Sequence, residues 1–329
     1  MIRFMETESM STTTDRYPMT PFPNGWFQVA YSDELAPGVA EPLHYFGQDY
    51  VLLRGTDGVA RVFDAFCPHL GAHLGYGGKV EGDTIRCPFH GWKYDGSGKC
   101  VEIPYGKRIP PSARLRAHPV VERNGMVMLW HHAGGKAPEW EVPEVPQYGL
   151  EGWTPFVKRR WKIRTHNQDM AENSVDQAHF RYVHGTLSVP QSEAKTDGPC
   201  LHVFSQMKMG TPAGEIDGII ESKSWGFGFG QVSFRGIVET SLLTSVTPID
   251  GEYVDVRFSF SVKSLGDERV TRGVGKALIA DIEKQMREDI PIWENKAFLD
   301  RPVLCDGDGP IGVFRSWCKQ FYGETAAAA

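Results

Sequence analysis

From about residue 25 to 135, apolar and polar positions alternate in short bursts cut by Gly, Pro or Asp. Tyr50-Val-Leu-Leu-Arg54, Val59-Ala-Arg-Val-Phe63 and Gly125-Met-Val-Met-Leu-Trp130 are typical. Short alternating runs with closely spaced turn residues predict a small all-β domain. The stretch 133–150, rich in Gly, Pro and Glu, reads as a linker. Beyond it the pattern changes. Residues 165–184 carry helix-forming content. Ile237–Val246 and Tyr253–Val262 alternate again, as long half-buried strands of one antiparallel sheet do. Residues 268–299 return to the helical period. Strands and helices in blocks give an α+β class, with a long C-terminal helix packed over a curved sheet. The expected division is a disordered tail over 1–20, a first domain over 21–140 and a second over 141–325.

Composition leaves this picture standing. The chain has 329 residues, 41% hydrophobic and 23% charged, enough for two domains with a sizeable core. A formal net charge of −6 gives no basic excess for nucleic acid or an anionic membrane surface. No run of apolar residues is long enough for a spanning helix, and the N-terminus lacks the apolar core of a secretory leader. Six scattered cysteines do not resemble a disulfide framework, so a reducing, cytoplasmic setting is expected.

The cysteines matter for another reason. Cys67-Pro-His-Leu-Gly71 and Cys87-Pro-Phe-His-Gly-Trp92 each offer one thiol and one imidazole. A zinc site usually pairs Cys with Cys and His with His in each half. Mixed loops make sense if two metals share the site, one held by Cys67 and Cys87, the other by His69 and His90. That is the ligand set of a Rieske [2Fe–2S] centre. The Gly and Pro residues suit tight loops whose amides face sulfides. His73 falls off the register and reads as a surface or supporting residue. Cys100 reads as a strand thiol.

A second constellation spans Glu172, Asn173, Asp176, His179 and His184. Asp176 and His179 share a helical face, whereas His184 lies about 140° round from His179 on an ideal α-helix. Two ligands of one ion require the helix to widen or to end between the histidines, and Gly185 offers an end. Two imidazoles and a carboxylate form the facial triad of non-haem ferrous sites. The plainer alternative is a pair of buried, backbone-bonded histidines.

The carboxylate candidates are Asp281, Glu283, Glu288, Asp289 and Glu294. The apolar stripe Val274, Leu278, Ile282, Met286, Ile292 and Trp293 places Asp289 at its centre, Glu288 at its edge and Glu283 away from it. A carboxylate on a buried face needs a partner or a metal. The competing reading makes Asp289 the cap of a new helix at Pro291. Gly96-Ser-Gly-Lys99 lacks the residues of a phosphate loop, and Gly226-Phe-Gly-Phe-Gly230 is no dinucleotide fingerprint. The latter run reads as core strand ahead of pocket wall.

These motifs, with Gly-Trp-x-Tyr at 91–94, resemble those of the Rieske non-haem iron oxygenases. The stretch 173–184 is similar to that family's Asn-x-x-Asp-x-x-His-x-x-x-x-His signature. Glu288–Lys296, Pro302, Asp308–Ile311, Arg315, Trp317 and Gln320–Tyr322 resemble the branch of the 3-ketosteroid 9α-hydroxylase oxygenase component and the cholesterol desaturases. The resemblance implies a Rieske domain followed by a helix-grip (START-like) catalytic domain. It implies a [2Fe–2S] cluster and one mononuclear Fe(II) held by His179, His184 and Asp289. Asp176 would bridge a neighbouring subunit's cluster histidine to the iron site in a head-to-tail homotrimer. A ferredoxin or flavin-dependent reductase would supply electrons, with dioxygen and an apolar substrate as reactants. Hydroxylation is the expected reaction. Aromatic dihydroxylation, O-demethylation, desaturation and plain electron carriage are the alternatives.

Overall fold

The computed structural model describes residues 16–211 and 214–323. The expectations for the extreme N-terminal tail and the final alanines lie outside the described residues. Eleven strands make up the first part: β1 (Gly25–Tyr31), β2 (Ala40–Tyr45), β3 (Gln48–Arg54), β4 (Ala60–Asp64), β5 (Lys79–Glu81), β6 (Thr84–Arg86), β7 (Lys93–Tyr94), β8 (Cys100–Glu102), β9 (Ala117–His118), β10 (Val120–Arg123) and β11 (Met126–His131). They form three small antiparallel sheets, ordered β1-β11-β10, β2-β3-β4-β9 and β5-β6-β7-β8. The all-β expectation holds here.

The second part is one seven-stranded antiparallel sheet. Its strands are β12 (Val157–Ile163), β13 (Gln191–Asp197), β14 (Cys200–Thr211), β15 (Gly214–Trp225), β16 (Phe229–Arg235), β17 (Thr240–Pro248) and β18 (Val254–Val262). The order is β12-β18-β17-β16-β15-β14-β13. Two short helices, α1 (Asn167–Ala171) and α2 (Ala178–Tyr182), precede β13. A long helix, α3 (Glu268–Asn295), crosses one face of the sheet, and α4 (Ile311–Cys318) follows.

The packing of α3 follows from its sequence. Asp267 caps its start by accepting from the Val270 amide at 2.9 Å. Its buried residues are Thr271, Gly275, Ile279, Ile282, Met286, Asp289 and Trp293. Ile279, Ile282, Met286 and Trp293 pack on Val254, Val256, Phe258 and Phe260 of β18. Each large apolar side chain buried this way contributes about 1.5–3 kcal/mol. Ile292, expected on the buried stripe, is exposed. Pro291 sits inside the helix, which continues to Asn295, so Asp289 does not cap a new helix.

The strands of the sheet are more buried than alternation suggested. Every residue of β18 is buried. Its polar face (Asp255, Arg257, Ser259, Ser261) is turned away from α3, and its first three members bond to the first part of the chain. Tyr45 donates to Asp255 Oδ2 at 2.6 Å, Arg257 donates to the carbonyl of Val29, and Ser259 donates to Tyr31 Oη. On β17, Ser245 donates to Gln28 Oε1 and Thr247 to the Gln28 carbonyl. Each polar group that leaves water on this face finds a partner.

Two further segments differ from the sequence reading. The 133–150 stretch carries no regular structure, yet Val142 and Val145 are buried in one cluster with Trp26 and Trp130. Residues 226–228 form the turn between β15 and β16, so the run is not one continuous core strand. At the N-terminal end, Arg16 donates to the carbonyls of Trp293 and Lys296 at the end of α3, and Tyr17 is buried beside it.

Candidate functional site

The two Cys/His loops lie at the ends of β4–β5 and β6–β7 and are built alike. The Cys67 amide donates to the carbonyl of Ala72, and the Gly71 amide returns to the carbonyl of Cys67. The Cys87 amide donates to Trp92, and the Gly91 amide returns to Cys87. Gly71 and Gly91 have φ of +74° and +71°, the left-handed conformation that closes each loop. The thiols are buried, whereas His69 and His90 are only partly so. The two rings stand 4.7 Å apart between centroids, and His69 stacks on Trp92.

Tyr94 Oη lies 3.0 Å from Cys67 Sγ. Burial, reinforced by Cys67, pushes the Tyr94 pKa far up, so the phenol stays protonated as a donor to sulfur. Cys100 is buried in β8 and donates to the Glu102 carbonyl, as a strand thiol. His73 Nδ1 accepts from the Gly75 amide and takes no part in the quartet.

The second site is assembled by α2 and α3. The Asp176 carboxylate accepts from the amides of Ala178 and His179 in the first turn of α2. α2 ends at Tyr182, and the amide of His184 reaches back five residues to the His179 carbonyl at 3.4 Å. Gly185 then takes φ +71°. This ending turns His184 toward His179, as the spacing required. Ligand atoms of His179, His184 and Asp289 all lie within 4.8 Å of one another. Among the described residues, no other group of three such side chains converges this closely.

Each imidazole is held by its other nitrogen. His179 Nδ1 lies 2.7 Å from the Asp176 carbonyl, which can only accept, so Nδ1 carries the proton. The Asp176 carboxylate is farther, at 3.8 Å. His184 Nδ1 lies 3.1 Å from Glu288 Oε2, and its Nε2 lies 3.3 Å from Asp289 Oδ2. Burial holds the His179 pKa below its ordinary value. For His184 burial acts the same way, but Asp289 and Glu288 outweigh it and the pKa is raised. The other candidate carboxylates are engaged elsewhere. Glu283 pairs with Arg159, Asp281 accepts from Gln285, and Glu294 accepts from the Arg164 amide.

Sequence reasoning missed Glu288 as a partner of His184, since 104 residues separate them. It also gave no role to Asn173, whose Oδ1 accepts from the Trp293 indole at 3.2 Å. Arg315 makes a paired contact to Glu172, which precedes α2, at 2.6 and 2.9 Å. The three converging side chains face a cavity of about 250 Å³ lined by the sheet, α1, α2, α3 and α4. Its walls include Phe180, Phe227, Phe229, Phe258, Met286 and Trp293.

Residues 25–117 match the Rieske [2Fe-2S] domain family, and residues 129–322 match the 3-ketosteroid 9alpha-hydroxylase C-terminal domain family. A probable 3-ketosteroid-9-alpha-monooxygenase oxygenase component from Rhodococcus rhodochrous is 32% identical, over 96% of this chain and 84% of that protein. This chain belongs to the Rieske oxygenases of the 3-ketosteroid 9α-hydroxylase branch. A cholesterol 7-desaturase from Ciona intestinalis is also 32% identical to the oxygenase, over 93% of it and 70% of the relative. Among solved structures, apo dicamba monooxygenase shares the oxygenase fold, with a TM-score of 0.72 at 18% identity, over 92% of this chain and 98% of that one. NdmA of Pseudomonas putida CBB5 with caffeine does so with a TM-score of 0.73 at 18% identity, over 89% of each.

The oxygenase is an oxidoreductase, and its cofactors are the Rieske [2Fe–2S] cluster and a mononuclear non-haem iron. Both donor sets fit: buried thiols opposite paired imidazoles for the cluster, and two imidazoles with a buried carboxylate for the iron. Among the described residues, no helix is long and apolar enough to cross a membrane.

Proposed function

We propose that this chain is the oxygenase component of a multicomponent Rieske monooxygenase that hydroxylates an apolar, steroid-like substrate. A separate ferredoxin or flavin-dependent reductase delivers the electrons. The observation that carries this reading is the convergence of His179, His184 and Asp289 on a largely apolar cavity. Relatives named 3-ketosteroid-9-alpha-monooxygenase support the reaction and the substrate class.

In this reading Cys67, His69, Cys87 and His90 hold the cluster, and His179, His184 and Asp289 hold the iron. When bound, the iron supplies dioxygen activation with electrons relayed from the cluster. The protein's residues do the positioning. The Asp176 carbonyl and the Glu288 carboxylate fix both rings with Nδ1 protonated, which leaves each Nε2 as a ligand. Phe180, Phe258, Ile282, Met286 and Trp293 exclude water and hold a hydrocarbon face near the site.

The assembly is a head-to-tail homotrimer, in which Asp176 bridges to a cluster histidine of the next subunit. Its side chain is 40% exposed beside His179, which supports such an approach. The scattered cysteines, all free, support a cytoplasmic setting. Desaturation is the second reading, favoured by the equal identity of the cholesterol 7-desaturase relative. Turnover of candidate steroids by the holoenzyme with a reductase under isotopically labelled dioxygen tests the choice. A labelled hydroxyl supports hydroxylation, and an unlabelled alkene supports desaturation. No product, with about two irons per chain, would reduce the protein to an electron carrier.

A further inference from the structure

The floor of the cavity holds a feature that the iron site does not use. Ser224, Gly230 and Thr244 stand side by side in one row across β15, β16 and β17. Directly paired residues on adjacent strands share a face, and all three line the cavity that holds His179, His184 and Asp289. Gly230 has no side chain between its two neighbours. A Cβ built there would lie 2.8 Å from Thr244 Oγ1, 3.3 Å from the Lys223 carbonyl oxygen and 3.5 Å from Ser224 Oγ. Both hydroxyls therefore border the space above Gly230, which only a glycine leaves open to them.

Hydroxyls elsewhere on this wall are already occupied. Ser205 Oγ pairs with Ser192 Oγ at 2.6 Å, and Ser245 donates to Gln28. Among the described residues, none bonds to the side-chain oxygen of Ser224 or Thr244, nor to that of Ser222 one step along β15. Trp317 also lines the cavity, and its buried indole N–H has no partner. Unpaired polar groups in an otherwise apolar pocket fix the orientation of a ligand, and leaving them unpaired on binding costs affinity.

The geometry points to a subsite for one oxygen substituent of the substrate, a ketone or hydroxyl on an alicyclic skeleton, seated over Gly230 between Ser224 and Thr244. This rests on the oxygenase reading and sharpens its substrate class. A ketone oxygen accepts from both hydroxyls, while an alcohol accepts from one and donates to the other. Seating that oxygen fixes which carbon of the skeleton faces the metal ligands. Ser224 and Thr244 are thus specificity-determining residues, and Gly230 is the space they share.

The test measures binding of three probes to the holoenzyme by equilibrium dialysis: 2-decalone, 2-decalol and decalin. The expected result is about tenfold tighter binding of the ketone than of decalin, with the alcohol between. In Ser224→Ala combined with Thr244→Val, that preference should fall to within about twofold, while decalin affinity stays as it was. Gly230→Ala should fill the notch and weaken the ketone selectively. A parent protein that binds ketone no tighter than decalin overturns the proposal even if every variant misfolds. So does a preference that survives the double substitution. Binding is read without turnover. Selective ketone binding by a protein that oxidises nothing would count against the oxygenase reading and uphold the subsite. Steroid oxidation with indifferent binding would do the reverse.

Discussion

His184 Nδ1 lies 3.1 Å from Glu288 Oε2, and Glu288 directly precedes Asp289, whose Oδ2 lies 3.3 Å from the other nitrogen of the same ring. Adjacent residues on one helix thus clasp both sides of one imidazole. Lys284 holds Glu288 from the preceding turn at 2.9 Å. With Lys284 as the larger cause and His184 the next, the Glu288 pKa lies below its ordinary value, so it is a carboxylate at neutral pH.

Glu288→Gln should keep the fold and the cluster but weaken the mononuclear iron site about tenfold or more, because the ring loses a charged acceptor. Iron titration of the apo-site, followed alongside the cluster's visible absorption, checks this. Unchanged iron affinity would reduce Glu288 to a surface ion pair.

Asp289→Ala removes the one buried carboxylate of the triad. Iron content should fall from about three to about two per chain, and oxygenation should cease. The cluster should remain, since Cys67 and Cys87 sit in a hydrophobic cluster separate from that of α3. Retention of mononuclear iron would assign the third ligand elsewhere.

Asp176→Asn is the informative change at the bridge. Asparagine keeps a side-chain oxygen to accept from the same two amides, so α2 should survive and both centres should assemble. The backbone carbonyl still holds His179. Steady-state turnover should nonetheless drop by at least about a hundredfold if the carboxylate links the centres across subunits. Stopped-flow reoxidation of the cluster measures that link directly, and normal reoxidation would remove the role.

Tyr94→Phe deletes the one phenol donor to Cys67 Sγ without changing shape. Hydrogen bonds to cluster sulfurs raise the potential, so the variant's cluster should be harder to reduce. Redox titration reads the shift, and an unchanged potential would show that the contact is only packing.

Mild acid should destabilise the chain through its buried histidines. His166 is buried and its pKa is pushed down to about 4. The neutral ring accepts from the Gln168 amide through Nδ1 and donates to the Thr20 carbonyl through Nε2. Protonation of Nδ1 would break the first contact. The unfolded ring binds a proton at about pH 6.5, so between there and about 4 the unfolded state holds more protons. Stability therefore rises with pH in that window, by at most about 1.4 kcal/mol per unit for this group. Urea midpoints across pH 4–7 should show the slope, and His166→Gln should reduce it, leaving the share of His131, which burial also holds down at about 4.

Much of this was readable in the residues themselves. The mixed Cys/His loops and the Asp289 stripe needed only spacing and period, and the folded chain brings each set together. The helix ending before His184 also followed from geometry, because five residues on a straight helix cannot serve one ion. What stayed hidden depends on contacts between distant segments. Asp255, Arg257 and Ser259 alternate with apolar residues as a solvent face would. They are buried because β1 and Tyr45 cover them. The 133–150 stretch has loop composition, yet Val142 and Val145 anchor it in a tryptophan-lined cluster. Glu288 sat at the edge of its stripe, and only the return of α2 gives it a histidine.

The seating of β1 against β17 and β18 has a bearing on ancestry and engineering alike. Gln28, Val29 and Tyr31 supply partners that the sheet's polar backside cannot find in solvent-free surroundings. A chimera that borrows its N-terminal half from a distant cousin would strand those serines and that arginine. Successful grafts must therefore transplant the strand together with the surface it covers, and lineages that traded one half must have rewritten the other.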